Sequence, residues 1–173
     1  MSKLDSNRRA FLRGAYLTRE GRAEAAKRQN PQGPVPPWHQ GIALQPHCLD
    51  CTRPCVASCE PGIIRIHPDN HSHRGIPYLD FSSNGCTFCR ACAEACPLEP
   101  DTRNRPTPRI GKLTLNRNTC IAWQDIICMS CSNRCEYKAI KMMHYRHPQV
   151  DPQICTGCGM CVHTCPVDAI SVI

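Results

Sequence analysis

The sequence has few aromatic residues and no long apolar run. Aromatic side chains make up 5% of the 173 residues. No stretch of about 18 consecutive apolar residues occurs, so we expect no membrane-spanning helix. The hydrophobic fraction of 41% includes 16 Cys. A core of normal size for this length therefore requires that the cysteines bind something bulky.

The N-terminal segment lacks the features of an export signal. Its positive charge is not followed by an apolar stretch of about 7–15 residues, because charged residues interrupt residues 13–30 throughout. We therefore expect a cytoplasmic protein with reduced thiols. In that compartment, clustered cysteines are more typical of metal sites than of disulfides.

The net charge of +7 is poor evidence for nucleic-acid binding. Residues 1–30 contain 8 Lys or Arg and 3 Asp or Glu, which supplies +5 and leaves +2 for the rest of the chain. Single-stranded nucleic acid is usually bound by aromatic side chains interleaved with basic ones. The basic segment has only Phe11 and Tyr16, so we expect no nucleic-acid partner.

The sixteen cysteines form four groups of four, which begin at Cys48, Cys86, Cys120 and Cys155. The steps between the groups are 38, 34 and 35 residues, so the chain contains a repeated unit. Short runs with β-strand character flank the groups, and turn residues separate them. These runs are residues 62–66, 78–81, 112–115, 139–143, 149–151 and 169–173.

Two proline-rich segments, residues 31–38 and 97–109, divide the chain. They predict a basic N-terminal extension with a proline-rich linker at 1–40 and a first two-cluster module at 41–98. A linker at 99–109 and a second two-cluster module at 110–173 follow.

The second and fourth groups, Cys86–Pro97 and Cys155–Pro166, both have the pattern C-x2-C-x2-C-x3-C-P. Such spacing lets three thiolates surround one iron–sulfur cubane, while the fourth cysteine ligates the other cluster of a pair. Structural zinc prefers separated C-x2-C pairs. The pattern therefore predicts [4Fe–4S] clusters rather than zinc sites or disulfides.

The first and third groups depart from this pattern. Their spacers are 2, 3 and 3 residues and 7, 2 and 3 residues, and both end in Cys-Glu. The extra residue of the first group lies in a segment that includes Pro54. A bulged loop with a four-iron cluster and a labile or three-iron cluster both remain open there.

All sixteen cysteines are predicted ligands of four [4Fe–4S] clusters. Under the crossed-ligand rule, the linker at 97–109 favours pairing of adjacent groups, whereas pairing the first group with the fourth is the alternative. Adjacent pairing predicts four sets of ligands. They are Cys48, Cys51, Cys55 and Cys96; Cys86, Cys89, Cys92 and Cys59; Cys120, Cys128, Cys131 and Cys165; and Cys155, Cys158, Cys161 and Cys135.

The chain resembles the NapF family of ferredoxin-type proteins, accessory proteins of periplasmic nitrate reductase. The resemblance rests on the segment Asp5–Gly14, on Pro36-Pro37-Trp38, on the order of the four groups, on CIAWQ with its seven-residue spacer, and on the Cys-Glu endings. It covers nearly the whole chain. The three-residue spacer between Cys51 and Cys55 departs from the two residues that we expect in the family.

The resemblance implies an α+β fold of two tandem bacterial-type 2[4Fe–4S] ferredoxin modules, with small β-hairpins and short helices. It also implies a cytoplasmic protein that contacts the catalytic subunit of periplasmic nitrate reductase before that subunit is exported. The implied role is maturation of that subunit, or exchange of electrons with redox partner proteins.

The basic head offers a candidate partner-binding segment. Asp5 or Ser6 would cap a helix in which Phe11 and Leu12 share an apolar face, with Arg8 and Arg9 mostly elsewhere; these four are the candidate partner-binding residues. A solvated, disordered tail is the alternative.

Three further features allow a functional and a plain interpretation. His67, His71 and His73 lie in HPDNHSHR, where we expect a solvated hairpin loop, with a metal site as the alternative. Trp123, in the long third spacer, is expected to pack over a cluster rather than to relay electrons. His163, between Cys161 and Cys165, is expected at the surface, with hydrogen bonding near a cluster as the alternative.

The function predicted from these patterns is electron transfer or iron–sulfur maturation. The alternative is an electron-wiring subunit of a larger oxidoreductase complex. An enzyme in its own right is not expected, because the sequence contains no phosphate-binding loop, dinucleotide fingerprint or nucleophile constellation.

Overall fold

A computed structural model describes residues 33–103 and 108–173. The part from Gly33 onward forms one compact unit. Residues 1–32 of the predicted extension and linker lie outside the described residues, and so do the candidate partner-binding residues Arg8, Arg9, Phe11 and Leu12 and residues 104–107.

Six short strands pair into three antiparallel two-stranded sheets in the described part of the chain. Each strand falls within or next to one of the six predicted runs, which confirms that part of the sequence analysis. The pairs are β1 (Ile64–Ile66) with β2 (Pro77–Leu79), β3 (Leu113–Leu115) with β6 (Ile170–Val172), and β4 (Ile140–Met143) with β5 (His147–Val150).

The helices are single turns, and most lie within the cysteine groups. A 3-10 helix, Ile121–Gln124, occupies the long third spacer. The α-helices are α1 (Gln45–Cys48), α2 (Pro54–Ala57), α3 (Ala91–Glu94) and α4 (Ser130–Arg134). Pro54 opens α2, a position where its missing N–H removes no intrahelical hydrogen bond. The extra residue of the first group is therefore accommodated where the helix begins.

The sheets link the cysteine groups in a regular order. β1, after the first group, pairs with β2, which precedes the second. β4 and β5 connect the third and fourth groups in the same way, and the outer pair β3–β6 encloses them. Beside β2, the Pro34 carbonyl accepts a hydrogen bond from the Leu79 amide at 2.8 Å.

One apolar cluster crosses between the two halves of the described chain. Trp38, Ile63 and Leu79 from the first half share it with Ile110 and Val172 from the second. Residues that far apart in sequence bury each other's apolar surface, which supplies the main driving force for packing the halves together.

The two halves also meet through their backbones. The Cys86 amide donates a hydrogen bond to the Cys158 carbonyl at 2.7 Å. A Cβ atom on Gly85 would lie 2.5 Å from the Met160 amide nitrogen, and one on Gly159 would overlap the Phe81 ring. Glycine at these two positions therefore allows the halves to approach closely.

None of the helices in the described residues is long and apolar enough to cross a membrane.

Candidate iron–sulfur centres

All sixteen cysteines lie within the described residues, and none of them forms a disulfide there. The influence of each thiol on the pKa of its neighbours shows which thiols are close together, because a nearby thiolate disfavours ionisation of a second one.

The first set combines the first cysteine group with the last cysteine of the second group. The pKa of the Cys55 thiol is raised to about 11, first by burial and then by the charges of Cys96, Cys48 and Cys51. The pKa of Cys48 is also raised, by burial first and then by Cys51 and Cys96. Cys96 thus lies with the first group.

The second set consists of Cys59, Cys86, Cys89 and Cys92, which line a single apolar pocket. Burial raises the pKa of Cys92 to about 12, with smaller contributions from Cys86, Cys59 and Cys89. The last cysteine of the first group therefore lies with the second group, as the crossed arrangement requires.

The fourth set repeats this arrangement in the second half of the chain. Cys135, Cys155, Cys158 and Cys161 line another apolar pocket. Burial raises the pKa of Cys161 to about 12, with smaller contributions from Cys158, from Cys131 of the adjoining third set, and from Cys155 and Cys135.

The third set surrounds the long spacer. Burial raises the pKa of Cys131 to about 11, and Cys128 and Cys120 contribute. Cys120 packs with Cys128 and Cys165 in one apolar cluster. Cys165 is thus placed with the third group, as adjacent pairing predicts, and not with Cys48.

The thiol sets fit iron–sulfur clusters. All of their cysteines except the exposed Cys89 are wholly or partly buried, and burial combined with mutual repulsion opposes ionisation of four thiols in one place. A cluster's iron ions would neutralise four thiolates, and an apolar pocket would shield the inorganic core from water. A bound [4Fe–4S] cluster supplies reversible one-electron chemistry. That these sixteen cysteines ligate iron remains a prediction.

Backbone amides point at several of the sulfur atoms. Hydrogen bonds reach the sulfurs of Cys51 from Arg53 at 3.3 Å and of Cys86 from Phe88 at 3.4 Å. The Ala139 amide donates to Cys135 at 3.2 Å. The Ala169 amide donates to Cys165 at 3.3 Å. Such donors favour the thiolate and influence the reduction potential of a bound cluster.

The turn after each cysteine group has a shared backbone conformation that sequence reasoning did not identify. The third residue after the last cysteine has a positive φ in all four groups. These residues are Gly62 (63°), Glu99 (45°), Lys138 (53°) and Asp168 (49°). Gly62 carries a clear sequence signal for this conformation and Asp168 a weaker one, whereas Glu and Lys side chains rarely adopt it.

Trp123 packs against the third set, next to Cys120 and Cys128, as the packing interpretation predicts. Its ring stacks on His147 with the ring centres 4.3 Å apart, and the Arg117 guanidinium lies 4.4 Å from the Trp123 ring centre. The tryptophan therefore covers one side of the predicted third centre. His163, predicted at the surface, has a buried Nδ1 without a hydrogen-bond partner in the described structure.

The comparisons with known proteins agree with this geometry. The 4Fe-4S dicluster domain family matches residues 47–99, and the 4Fe-4S binding domain family matches residues 148–171. The ferredoxin-type protein NapF of Escherichia coli strain K12 is 31% identical over 174 residues, which covers 98% of this chain and 95% of that protein. The chain belongs to the NapF family of ferredoxin-type proteins.

Two other relatives extend this result. NapF of Haemophilus influenzae is 32% identical over 171 residues, or 95% of this chain and 92% of that protein. The ferredoxin-type protein NapG of the same organism is 26% identical and covers 98% of this chain, but only 71% of NapG is matched. The chain is thus an iron–sulfur protein of the 4Fe-4S ferredoxin type.

Proposed function

We propose that this NapF-family protein is a cytoplasmic carrier of four [4Fe–4S] clusters, built as two tandem two-cluster modules. It acts on the catalytic subunit of periplasmic nitrate reductase before that subunit is exported, by transferring electrons or by assisting iron–sulfur maturation. The single observation that carries the proposal is the convergence of the cysteines into four crossed sets.

The sets have a consistent construction that supports four clusters rather than two. Two apolar pockets are each lined by four thiols drawn from two adjacent groups. The remaining eight cysteines fall into two sets of the same crossed composition. Each set would hold its cluster through four thiolates, so that the iron ions have no open coordination site for a substrate.

Anaerobic iron and sulfide analysis tests the cofactor content. The full chain, reconstituted with iron and sulfide, should contain about sixteen iron ions and as many acid-labile sulfides for four cubanes. Reduction should produce the paramagnetic signals of [4Fe–4S] clusters in electron paramagnetic resonance. A content of about eight irons, with half of the thiols free to alkylation, would contradict the four-cluster proposal.

A binding experiment tests the partner. The proposed partner is the cytoplasmic precursor of the catalytic subunit, and Arg8, Arg9, Phe11 and Leu12 are the proposed contact residues. Removing residues 1–30 should weaken capture of that precursor by the cluster-loaded protein and leave its iron content unchanged. Undiminished capture would exclude the head as the binding segment.

One observation favours the second candidate function, a permanent wiring subunit of a larger oxidoreductase. Ile126 and Ile127 are 54% and 82% exposed in the long spacer that ends at Cys128. An apolar loop beside a predicted cluster suits a lasting protein contact. Copurification of a stoichiometric catalytic subunit that resists dilution would support this candidate over transient docking.

A further inference from the structure

The loop between β1 and β2 buries two histidines, although most of its residues are exposed as expected of a solvated loop. His67 and His71 are only 7% and 8% exposed. The loop is closed by hydrogen bonds from the His67 amide to the Ile76 carbonyl at 3.0 Å and from the Gly75 amide to the His67 carbonyl at 3.1 Å.

Three imidazoles converge inside this loop. One ring nitrogen from each of His67, His71 and His73 lies within 4.8 Å of the corresponding atoms of the other two. The His67 ring stacks between His71, with ring centres 4.0 Å apart, and Tyr78, at 4.3 Å. The loop hydrogen bonds from the His71 amide to Pro68 and from the Ile76 amide to His73 hold the three residues together.

One ring nitrogen of this cluster lacks a hydrogen-bond partner, which is an independent observation. Nδ1 of His67 is buried and has no hydrogen-bond partner in the described structure. Leaving such an atom without a hydrogen bond is unfavourable. A neutral imidazole has one ring nitrogen with a lone pair available for a ligand.

We propose that His67, His71 and His73 form a binding site for Zn²⁺, separate from the cysteine sets. Neutral imidazole is a preferred zinc ligand, and three imidazoles leave the fourth tetrahedral position for water. A bound ion would satisfy the buried His67 nitrogen. It would also fix the β1–β2 hairpin, which connects the first cysteine group to the second.

Zinc binding requires a defined rearrangement of the loop. The His67 and His71 ring planes differ by only 12°, and two parallel imidazoles cannot both direct their in-plane lone pairs at one ion. The His71 ring must therefore turn out of the stack, which breaks the 2.9 Å hydrogen bond from the His73 amide to His71 Nδ1. The ligand nitrogens must close to about 3.3 Å, given zinc–nitrogen bonds of about 2.0–2.1 Å in a tetrahedron.

Zinc X-ray absorption on the cluster-loaded full chain tests the proposal. Zn²⁺ is added anaerobically in equimolar amount and unbound metal is removed. We expect one additional zinc per chain, with nitrogen or oxygen neighbours at about 2.0–2.1 Å and imidazole scattering. Sulfur neighbours at about 2.3 Å would show that zinc has replaced cluster iron instead, and either that result or no retained zinc would overturn the proposal.

Three variants complete the test. His67→Phe keeps an aromatic ring against Tyr78 but has no ligand nitrogen, and His73→Asn changes an exposed side chain. Both should lose the bound zinc while retaining their iron. His144→Asn, at an exposed histidine outside the cluster, should retain it. Equal zinc retention in all three variants would exclude this site.

Discussion

At the residue scale, the second and fourth cysteine groups use different residues for the same backbone conformation. Arg90 has a φ of 68° where the fourth group has Gly159 with a φ of 76°. Gly159 is not interchangeable with a larger residue, because an added Cβ would overlap the Phe81 ring. Contact between the two halves therefore makes glycine necessary in the fourth group, while the second group tolerates arginine.

We predict that Gly159→Ala destabilises the protein strongly. Placing alanine at a left-handed φ costs about 1–2 kcal/mol, and forcing a methyl group into a packed ring costs about 1–3 kcal/mol more. The sum of about 2–5 kcal/mol should lower the midpoint of anaerobic thermal unfolding.

Gly62→Ala is the matched control for this change. Gly62 has a φ of 63°, but nothing lies within 4 Å of an added Cβ. Only the backbone cost of about 1–2 kcal/mol should appear there. Equal destabilisation by the two substitutions would show that Phe81 does not limit this position.

A second residue-scale prediction concerns His39. The residue is buried, and its Nδ1 contacts the Pro37 carbonyl at 2.9 Å. Burial lowers the pKa of His39 below its ordinary value of 6.5, although hydrogen bonds with the backbone of Pro37 and Pro36 partly oppose this. The unfolded chain then binds the proton more readily than the folded chain does. The stability that neutral His39 contributes is therefore present above about pH 6.5 and is lost as pH falls.

His39→Gln should remove this pH dependence. When the pH is lowered from about 7.5 to about 5.5, the unfolding midpoint of the natural chain should fall more steeply than that of the variant. This interval spans the ordinary histidine pKa of about 6.5. The difference between the two proteins isolates His39, because every other titrating group is shared. Parallel pH profiles would contradict the assignment.

At the scale of single elements, the strands and thiol sets could be predicted from the sequence and much of the loop geometry could not. Cysteine spacing restricts which thiols can meet, and the β-like runs follow from ordinary residue preferences. Glu99 and Lys138 carry no local signal for a positive φ, because the surrounding turn imposes it. The polar residues of the histidine loop predict a solvated loop, and the burial of His67 and His71 follows from ring stacking on Tyr78 and on each other.

The turn after each cysteine group gives a prediction about reduction potential. In the third and fourth groups, the residue that follows the positive-φ residue donates a backbone hydrogen bond to the sulfur of the last cysteine. These donors are Ala139 and Ala169. Pro100 occupies the equivalent position in the second group and has no N–H to donate. The Cys96 sulfur therefore cannot receive that hydrogen bond.

Pro100→Ala should raise the reduction potential of the cluster that Cys96 is proposed to ligate. An added N–H donor stabilises the more negative, reduced cluster. Redox titration followed by electron paramagnetic resonance measures the shift. Pro97→Ala, at an exposed proline of the same segment, is the control and should leave the potential unchanged. An unchanged or lowered potential in Pro100→Ala would refute the role of this amide.

At the scale of the whole molecule, the two halves depend on each other. They share an apolar cluster that includes Ile63 and Val172. Their predicted second and fourth centres also adjoin, because the charge of Cys158 contributes to raising the pKa of Cys86. Burial first, and then both Cys158 and Cys86, raise the pKa of Tyr137. The tyrosine thus marks the surface where these two centres meet.

Gly85→Ala should weaken both halves together. The added Cβ would lie 2.5 Å from the Met160 amide nitrogen and 2.7 Å from its Cα, so the interface must open, at a cost of about 1–3 kcal/mol. Hydrogen exchange should accelerate in β1–β2 and in β4–β5 alike, although the substitution lies in the first half. Ser83→Ala, at an exposed position two residues away, should leave exchange unchanged. We expect both halves to respond because a shared core transmits the loss of packing across the interface. Acceleration confined to β1–β2 would show instead that the halves are stable independently.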